Sequence, residues 1–218
     1  MIMRPSSPAT LRLRASRAAL LLAASAVLSA CATTAPTRVP VQIDVQEAVG
    51  FTITEKARIS EAARADYDVA LRLLQQGEFE RGIELLEAVV EHAPELAAPR
   101  VDLGIAYHRV GNIEAAESSL LLALASNPDH PIAHNELGIV YRKTGRFAAA
   151  RQSYEAALAI YPGYHFARRN LAVLCDLYLA DLRCALNNYE AYMETVPSDE
   201  ETSMWIADIR NRIGQTEE

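Results

Sequence analysis

A proline recurs at a fixed spacing of 34 residues through the middle of the chain, at Pro94, Pro128 and Pro162. A glycine lies seventeen residues before each of these prolines, at Gly77, Gly111 and Gly145. A constant period of this length is typical of a solenoid, in which each period folds into one supersecondary unit. Glycine permits a tight turn between two helices, and proline ends the second helix. We therefore predict three successive helical hairpins, over residues 63–96, 97–130 and 131–164.

Small and large apolar residues recur at matching places within the three units. The second unit has Leu103, Gly104, Tyr107, Ala116, Leu120 and Ala123. The third unit has Leu137, Gly138, Tyr141, Ala150, Tyr154 and Ala157. The first unit has a weaker version, with Val69, Ala70, Leu73, Gly82, Leu86 and Val89. This pattern resembles the tetratricopeptide repeat (TPR), which implies an all-α solenoid whose small residues let neighbouring helices approach closely.

A fourth unit, residues 165–198, departs from the pattern. Its proline, Pro197, follows the previous one by 35 residues, and the turn glycine is missing. We expect one inserted residue near Leu179 and Ala180. Beyond this unit, residues 199–218 are expected to form a capping helix and tail, with Ser198 or Asp199 as the N-cap and the helix ending near Arg212.

The front of the repeat domain is expected at residue 54. Thr54 is a candidate N-cap for a long first helix from Glu55 to Gln75. The repeat domain would then cover residues 54–198. Before it, residues 31–53 contain two prolines and predict a semi-extended, flexible tether. Val39, Val41, Ile43 and Val45 alternate along the tether, which leaves open a short strand or a strip laid along the domain.

Residues 1–30 have the layout of a secretory signal peptide. Four arginines and no acidic residue precede an apolar run, residues 18–28, that is too short to span a bilayer. The run ends in Leu28-Ser29-Ala30-Cys31, which resembles the bacterial lipobox. The resemblance implies acylation of Cys31, attachment to a lipid bilayer, and a periplasm-facing protein of the outer membrane. The alternative is an ordinary cleavage site followed by a buried free cysteine.

The charge balance excludes one class of partner. The full chain has a formal charge of −7, and removal of the four leader arginines leaves 17 basic against 28 acidic residues, or −11. Nucleic-acid affinity depends on Lys and Arg neutralising phosphates, so we expect no nucleic-acid partner. The usual motifs for nucleotide, metal and nucleophile sites are missing from the sequence. We expect no cofactor and no metal, because Pro131 separates His130 from the helix that carries His134.

Cys175 and Cys184 are the two cysteines beyond the leader. An exported chain meets an oxidising compartment, and the two residues are expected on facing helices of one hairpin. A disulfide between them is one interpretation. Two buried, reduced thiols that pack as small hydrophobic groups are the other.

The TPR resemblance implies that the first helices of the units line a partner-binding groove. By register, the groove residues are Tyr67, Leu71, Val101, Ile105, His108, Arg109, Asn135, Ile139, Arg142, Lys143, Arg169 and Val173. Arg109, Arg142, Lys143 and Arg169 would form a basic strip along an apolar floor, suited to a peptide with acidic groups or a terminal carboxylate. An ordinary solvated helix face is the alternative.

These features predict a non-catalytic, membrane-anchored lipoprotein that acts as a protein-protein interaction scaffold in the cell envelope. It resembles the TPR lipoproteins that assist pilus secretins, adapt proteases to cell-wall hydrolases, or accompany TonB-type systems. Two alternatives remain at this point, and the sequence leaves the oligomeric state open. One is a structural homodimer formed through the capping helix, with Met204 and Trp205 exposed. The other is an enzyme acting on cell-wall glycan, which would need two carboxylates about 5–9 Å apart in one cleft.

Overall fold

The computed structural model describes residues 41–46, 50–55 and 59–216, and all of them fall within one compact unit of the chain, 38–218. Two strands come first, β1 (Val41–Gln46) and β2 (Gly50–Glu55). Nine helices follow among the described residues: α1 (Glu61–Gln75), α2 (Phe79–His92), α3 (Ala98–Arg109), α4 (Ile113–Ser126), α5 (Pro131–Lys143), α6 (Phe147–Ile160), α7 (His165–Leu177), α8 (Leu182–Thr195) and α9 (Glu200–Thr216).

The helices pair in sequence order into four antiparallel hairpins, α1–α2, α3–α4, α5–α6 and α7–α8. The first helices of successive hairpins also touch one another, α1 with α3, α3 with α5, and α5 with α7. We call these first helices the inner layer and the second helices the outer layer. The predicted all-α solenoid of three regular units, one aberrant unit and a capping helix is confirmed.

The predicted turns are formed by the three glycines. Gly77, Gly111 and Gly145 have φ of +81°, +82° and +74°, a backbone conformation that side chains with a Cβ rarely adopt. The outer helices α2, α4 and α6 each end two residues before the repeated proline. A period set by glycine and proline therefore gives one hairpin per 34 residues.

Close approach of paired helices explains the glycines inside the inner helices. A Cβ on Gly104 would lie 2.5 Å from Leu120 Cγ, and a Cβ on Gly138 would lie 2.5 Å from the ring of Tyr154. Both of these neighbours are fully buried. The small residue of one helix thus makes room for the large residue of its partner, so that each hairpin is closely packed.

The fourth hairpin turns without a glycine. Ala180 adopts φ +54° at the turn, and Asp181 accepts a hydrogen bond from the Cys184 backbone N–H at 3.0 Å to begin α8. Cys175 and Cys184 form a disulfide across this turn, with their Cα atoms 5.9 Å apart. The disulfide interpretation is therefore confirmed, and the bond links the two helices of the aberrant unit.

The start of the repeat domain differs from the sequence prediction. Thr54 and Glu55 lie in β2, and α1 begins at Glu61 with Ser60 as its N-cap, where Ser60 Oγ accepts from the Ala63 N–H at 3.1 Å. The predicted helix from Glu55 was wrong because Ser60 supplies the cap nearer the apolar run.

The tether prediction was also wrong for residues 41–55. This segment is an antiparallel hairpin in which Val41 lies opposite Glu55 and Gln46 opposite Gly50. The alternative of a short strand, left open by the alternating residues, describes it better. The hairpin is linked to the solenoid by Glu55, whose carboxylate accepts from the N–H groups of Ala97 (3.0 Å) and Ala98 (3.1 Å). Ala97 has no side chain to cap α3, so Glu55 caps that helix from 42 residues away.

Helix α9 closes the solenoid as expected. Asp199 accepts from the Thr202 N–H at 3.0 Å and so acts as the N-cap, one of the two residues considered. Ile206 and Ile209 are buried against the preceding hairpin, whereas Ser203, Ala207 and Arg210 are exposed. This small and polar outer face suits a terminal unit. Among the described helices, none combines the length and apolar character needed to cross a membrane.

Candidate partner-binding groove

An aliphatic row runs along the inner layer, one residue per unit. Its members are equivalent by register and half-buried: Leu71, Ile105, Ile139 and Val173. All four were predicted to line the groove. We call this set the aliphatic row.

A pocket of about 300 Å³ opens beside the aliphatic row, between the first and second units. Its apolar lining consists of Leu71, Leu74, Phe79, Ile105 and Ala106, and its polar lining of Gln75, Asp102 and Arg109. The sequence predicted Leu71, Ile105 and Arg109 here. Phe79 was missed because it begins an outer helix, where the register implies no groove contact.

Two predicted groove residues in the first and second units have structural roles. The Tyr67 hydroxyl donates to Asp102, which joins α1 to α3, and Val101 is only 3% exposed. Burial raises the pKa of Asp102, because the charged carboxylate is poorly solvated there, although the Tyr67 hydrogen bond opposes the shift. Tyr67 and Val101 therefore stabilise the contact between neighbouring units.

Asn135 has the same kind of role between the third and fourth units. It is 2% exposed, its Oδ1 accepts from Asn170 Nδ2 at 2.9 Å, and its Nδ2 donates to Glu136 Oε1 at 3.0 Å. Desolvation raises the pKa of Glu136. Asp102 and Glu136 occupy equivalent places 34 residues apart, so the period could have identified both carboxylates, which the sequence interpretation missed.

Four basic side chains gather at the C-terminal ends of α3 and α5, and we call them the cation cluster: His108, Arg109, Arg142 and Lys143. Arg109 and Lys143 are exposed, whereas His108 and Arg142 are half-buried. Desolvation, and then the charges of Lys143, Arg109 and Arg142, lower the pKa of His108. The structure thus brings together three of the four residues of the predicted basic strip.

Arg169, the fourth residue of that strip, lies apart from the cluster. Its guanidinium is 3.4 Å from Glu201 and 3.9 Å from Asp199, and it lies over the ring of Trp205 at 5.0 Å. Arg169 therefore connects α7 to the capping helix. Trp205 also packs 5.5 Å from the ring of Tyr189, whereas Met204 is 66% exposed. Only one of the two residues invoked for a homodimer is thus an exposed apolar side chain.

The remaining candidate residues have structural roles or lie outside the described ranges. His130 is the N-cap of α5, where Nδ1 accepts from the Ala133 N–H at 3.2 Å, and His134 Nε2 contacts the carbonyl oxygen of Pro128 at 2.9 Å. Within the described residues, one group of three metal-ligand types is close together, at Cys175, Asp181 and Cys184, and its two thiols are joined in the disulfide. Cys31 lies outside the described residues.

A two-layered stack of helical hairpins with a lined inner face defines a helical-repeat scaffold. The family model of the tetratricopeptide repeat matches residues 67–122 and 101–165. The chain is a tetratricopeptide-repeat protein, and its solenoid is of the kind that mediates protein-protein interaction. No curated protein sequence matches the chain significantly.

Solved structures with a similar fold include three bacterial proteins. MamA from Desulfovibrio magneticus RS-1 is 20% identical over 72% of this chain and 88% of its own, with a TM-score of 0.64. PilF from Pseudomonas aeruginosa is 21% identical over 71% of this chain and 70% of its own, with a TM-score of 0.64. The TPR protein TTC0263 from Thermus thermophilus is 27% identical over 67% of this chain and 80% of its own, with a TM-score of 0.58.

Proposed function

We propose that this protein is a non-catalytic lipoprotein adaptor of the cell envelope, anchored through acylated Cys31 and binding a partner protein on its inner layer. The observation that carries the proposal is the aliphatic row, because it places one half-buried apolar side chain per unit beside an open pocket. Apolar surface of this kind, bordered by polar groups, is typical of binding grooves.

The lipidation and the location rest on the leader sequence. Removal of residues 1–30 would leave Cys31 as the first residue, and acylation with up to three chains would hold the protein stably at a bilayer. Ala32 after the cysteine favours the outer membrane. The protein would then present its solenoid to the periplasm, where the disulfide between Cys175 and Cys184 is chemically stable.

The test compares two pairs of substitutions that remove equal apolar groups from opposite layers. Leu71→Ser with Ile105→Ser alters the aliphatic row, whereas Leu121→Ser with Leu122→Ser alters exposed leucines on the outer helix α4. Each full-length variant is expressed in the native bacterium, crosslinked mildly, extracted in detergent and immunoprecipitated. Circular dichroism of the purified proteins establishes that each variant keeps its helices.

We expect a partner protein that is captured with the wild type and with the outer-layer variant, and is lost with the inner-layer variant. Loss with the outer-layer variant alone would place the interface on α4 and contradict the proposal. Capture that is unaffected by both variants would also contradict it, and the partner would then contact another surface.

A further inference from the structure

The cation cluster has no anion of its own in the described part of the chain. By contrast, six arginines elsewhere in the described residues form ion pairs: Arg81, Arg146, Arg151, Arg169, Arg210 and Arg212. Glu136 is the acid whose charge interacts with Arg109, but that carboxylate is desolvated and already bonded by Asn135. Four basic groups therefore lie together in a protein with a net negative charge.

Two buried nitrogen atoms in the cluster have no hydrogen-bond partner among the described residues, His108 Nε2 and Arg142 Nε. Buried polar atoms are nearly always hydrogen-bonded, and an exception calls for an explanation. The Arg142 guanidinium is also held in place, because it lies 5.7 Å from the centroid of the Tyr178 ring and beside the Tyr154 hydroxyl. The geometry suits an acceptor that carries negative charge.

The apolar pocket adjoins the cluster. Arg109 lines the pocket together with Leu71, Leu74 and Ile105, and its charge also acts on His108. A ligand that reaches both places needs a large apolar group and an anionic group a few ångströms apart. An acidic residue next to a large apolar residue in a peptide chain has this chemistry.

We propose that the cation cluster binds the side-chain carboxylate of an Asp or Glu in a partner protein, while the neighbouring large apolar side chain of the same segment fills the pocket. This inference rests on the proposed function and names the class of segment that the groove selects. Charge complementarity favours it, because the cluster is a local basic site on a chain whose other charges would repel an acidic segment.

The probe is a pair of amide-capped, fluorescein-labelled peptide pools. Both pools fix a Phe or Leu at one position and randomise the outer positions among uncharged residues. One pool has Glu at the two positions after the apolar residue and the other has Gln. Because both ends are capped, the Glu side chains are the only peptide carboxylates. Binding to the purified, disulfide-bonded protein is measured by fluorescence anisotropy.

The variant Arg109→Glu with Lys143→Glu reverses two exposed charges of the cluster. The matched control, Arg81→Glu with Arg210→Glu, makes the same change in net charge at exposed sites on α2 and α9. We expect the Glu pool to bind the wild type at least about tenfold more tightly than the Gln pool, a difference of about 1.4 kcal/mol. The preference should be lost in the cluster variant, retained in the control, and weakened by added salt.

A second measurement follows the His108 imidazole by NMR. Bound carboxylate stabilises the charged ring, so the Glu pool should raise the pKa of His108 and the Gln pool should not. Equal affinity for both pools, an unchanged His108 titration, or no binding to either pool at millimolar peptide would overturn the inference. If cellular capture still depends on Leu71 and Ile105 under that result, the adaptor function stands and only the ligand class is wrong.

Discussion

Opening the disulfide between Cys175 and Cys184 should destabilise the fourth unit more than the rest of the solenoid. The bond joins residues that are nine positions apart in the sequence. In the chain-entropy treatment, closing a loop of this size restricts the unfolded chain by an amount equivalent to about 2.6 kcal/mol. The aberrant turn adds to this dependence, because Ala180 holds a positive φ that glycine adopts in the other three turns.

The assay is urea unfolding with and without a phosphine reductant, followed by two probes. Trp205 is the single tryptophan of the chain and packs against Tyr189 of α8, so its fluorescence reports on the fourth unit and α9. Circular dichroism at 222 nm reports on all helices. With a urea slope of about 2 kcal/mol per molar, the tryptophan midpoint should fall by about 1.3 M.

The two probes should separate after reduction, because units of a solenoid interact mainly with their neighbours. Cys184→Ala is the control, since it already lacks the bond and should not respond to the reductant. An unchanged tryptophan midpoint in the wild type would refute the reasoning. An equal fall of both midpoints would show that the solenoid unfolds as one cooperative unit.

Three further outcomes are expected. Gly138→Ala should lower stability by about 2 kcal/mol because its Cβ would meet a buried ring, whereas Gly145→Ala, with open space and only its positive φ to oppose it, should cost about 1 kcal/mol; equal shifts in thermal unfolding would contradict this. The raised pKa values of Asp102 and Glu136 mean that their contribution to stability is greatest when they are protonated, below their unfolded pKa values, and is lost as the pH rises through their folded values. The wild type should therefore gain stability in urea titrations as the pH is lowered from 7.5 to 5.5, and Asp102→Asn with Glu136→Gln should gain less; an equal gain would refute the assignment. Cys31→Ala should abolish incorporation of radiolabelled palmitate and release the protein from the membrane fraction, and retention of both would exclude the lipidation site.

The hairpin boundaries could be read from the sequence because the signals for them are local. Gly111 ends an inner helix through its own backbone conformation, and Pro128 stops the next helix within two residues. The aliphatic row could be predicted for the same reason, since Leu71 and Ile105 repeat with the period of the units. Each of these features depends on residues within a single 34-residue unit.

Only the tertiary structure decided which inner-layer residues remain open to a partner. Tyr67 and Asn135 fit the groove register, yet each bonds a residue of the following unit, and Arg169 pairs with the capping helix. Residues 41–55 form a hairpin attached through Glu55, whose partners lie 42 and 43 residues further along the chain. Such contacts join side chains across units, so they depend on how neighbouring units pack, and a repeat pattern read one unit at a time does not contain that information.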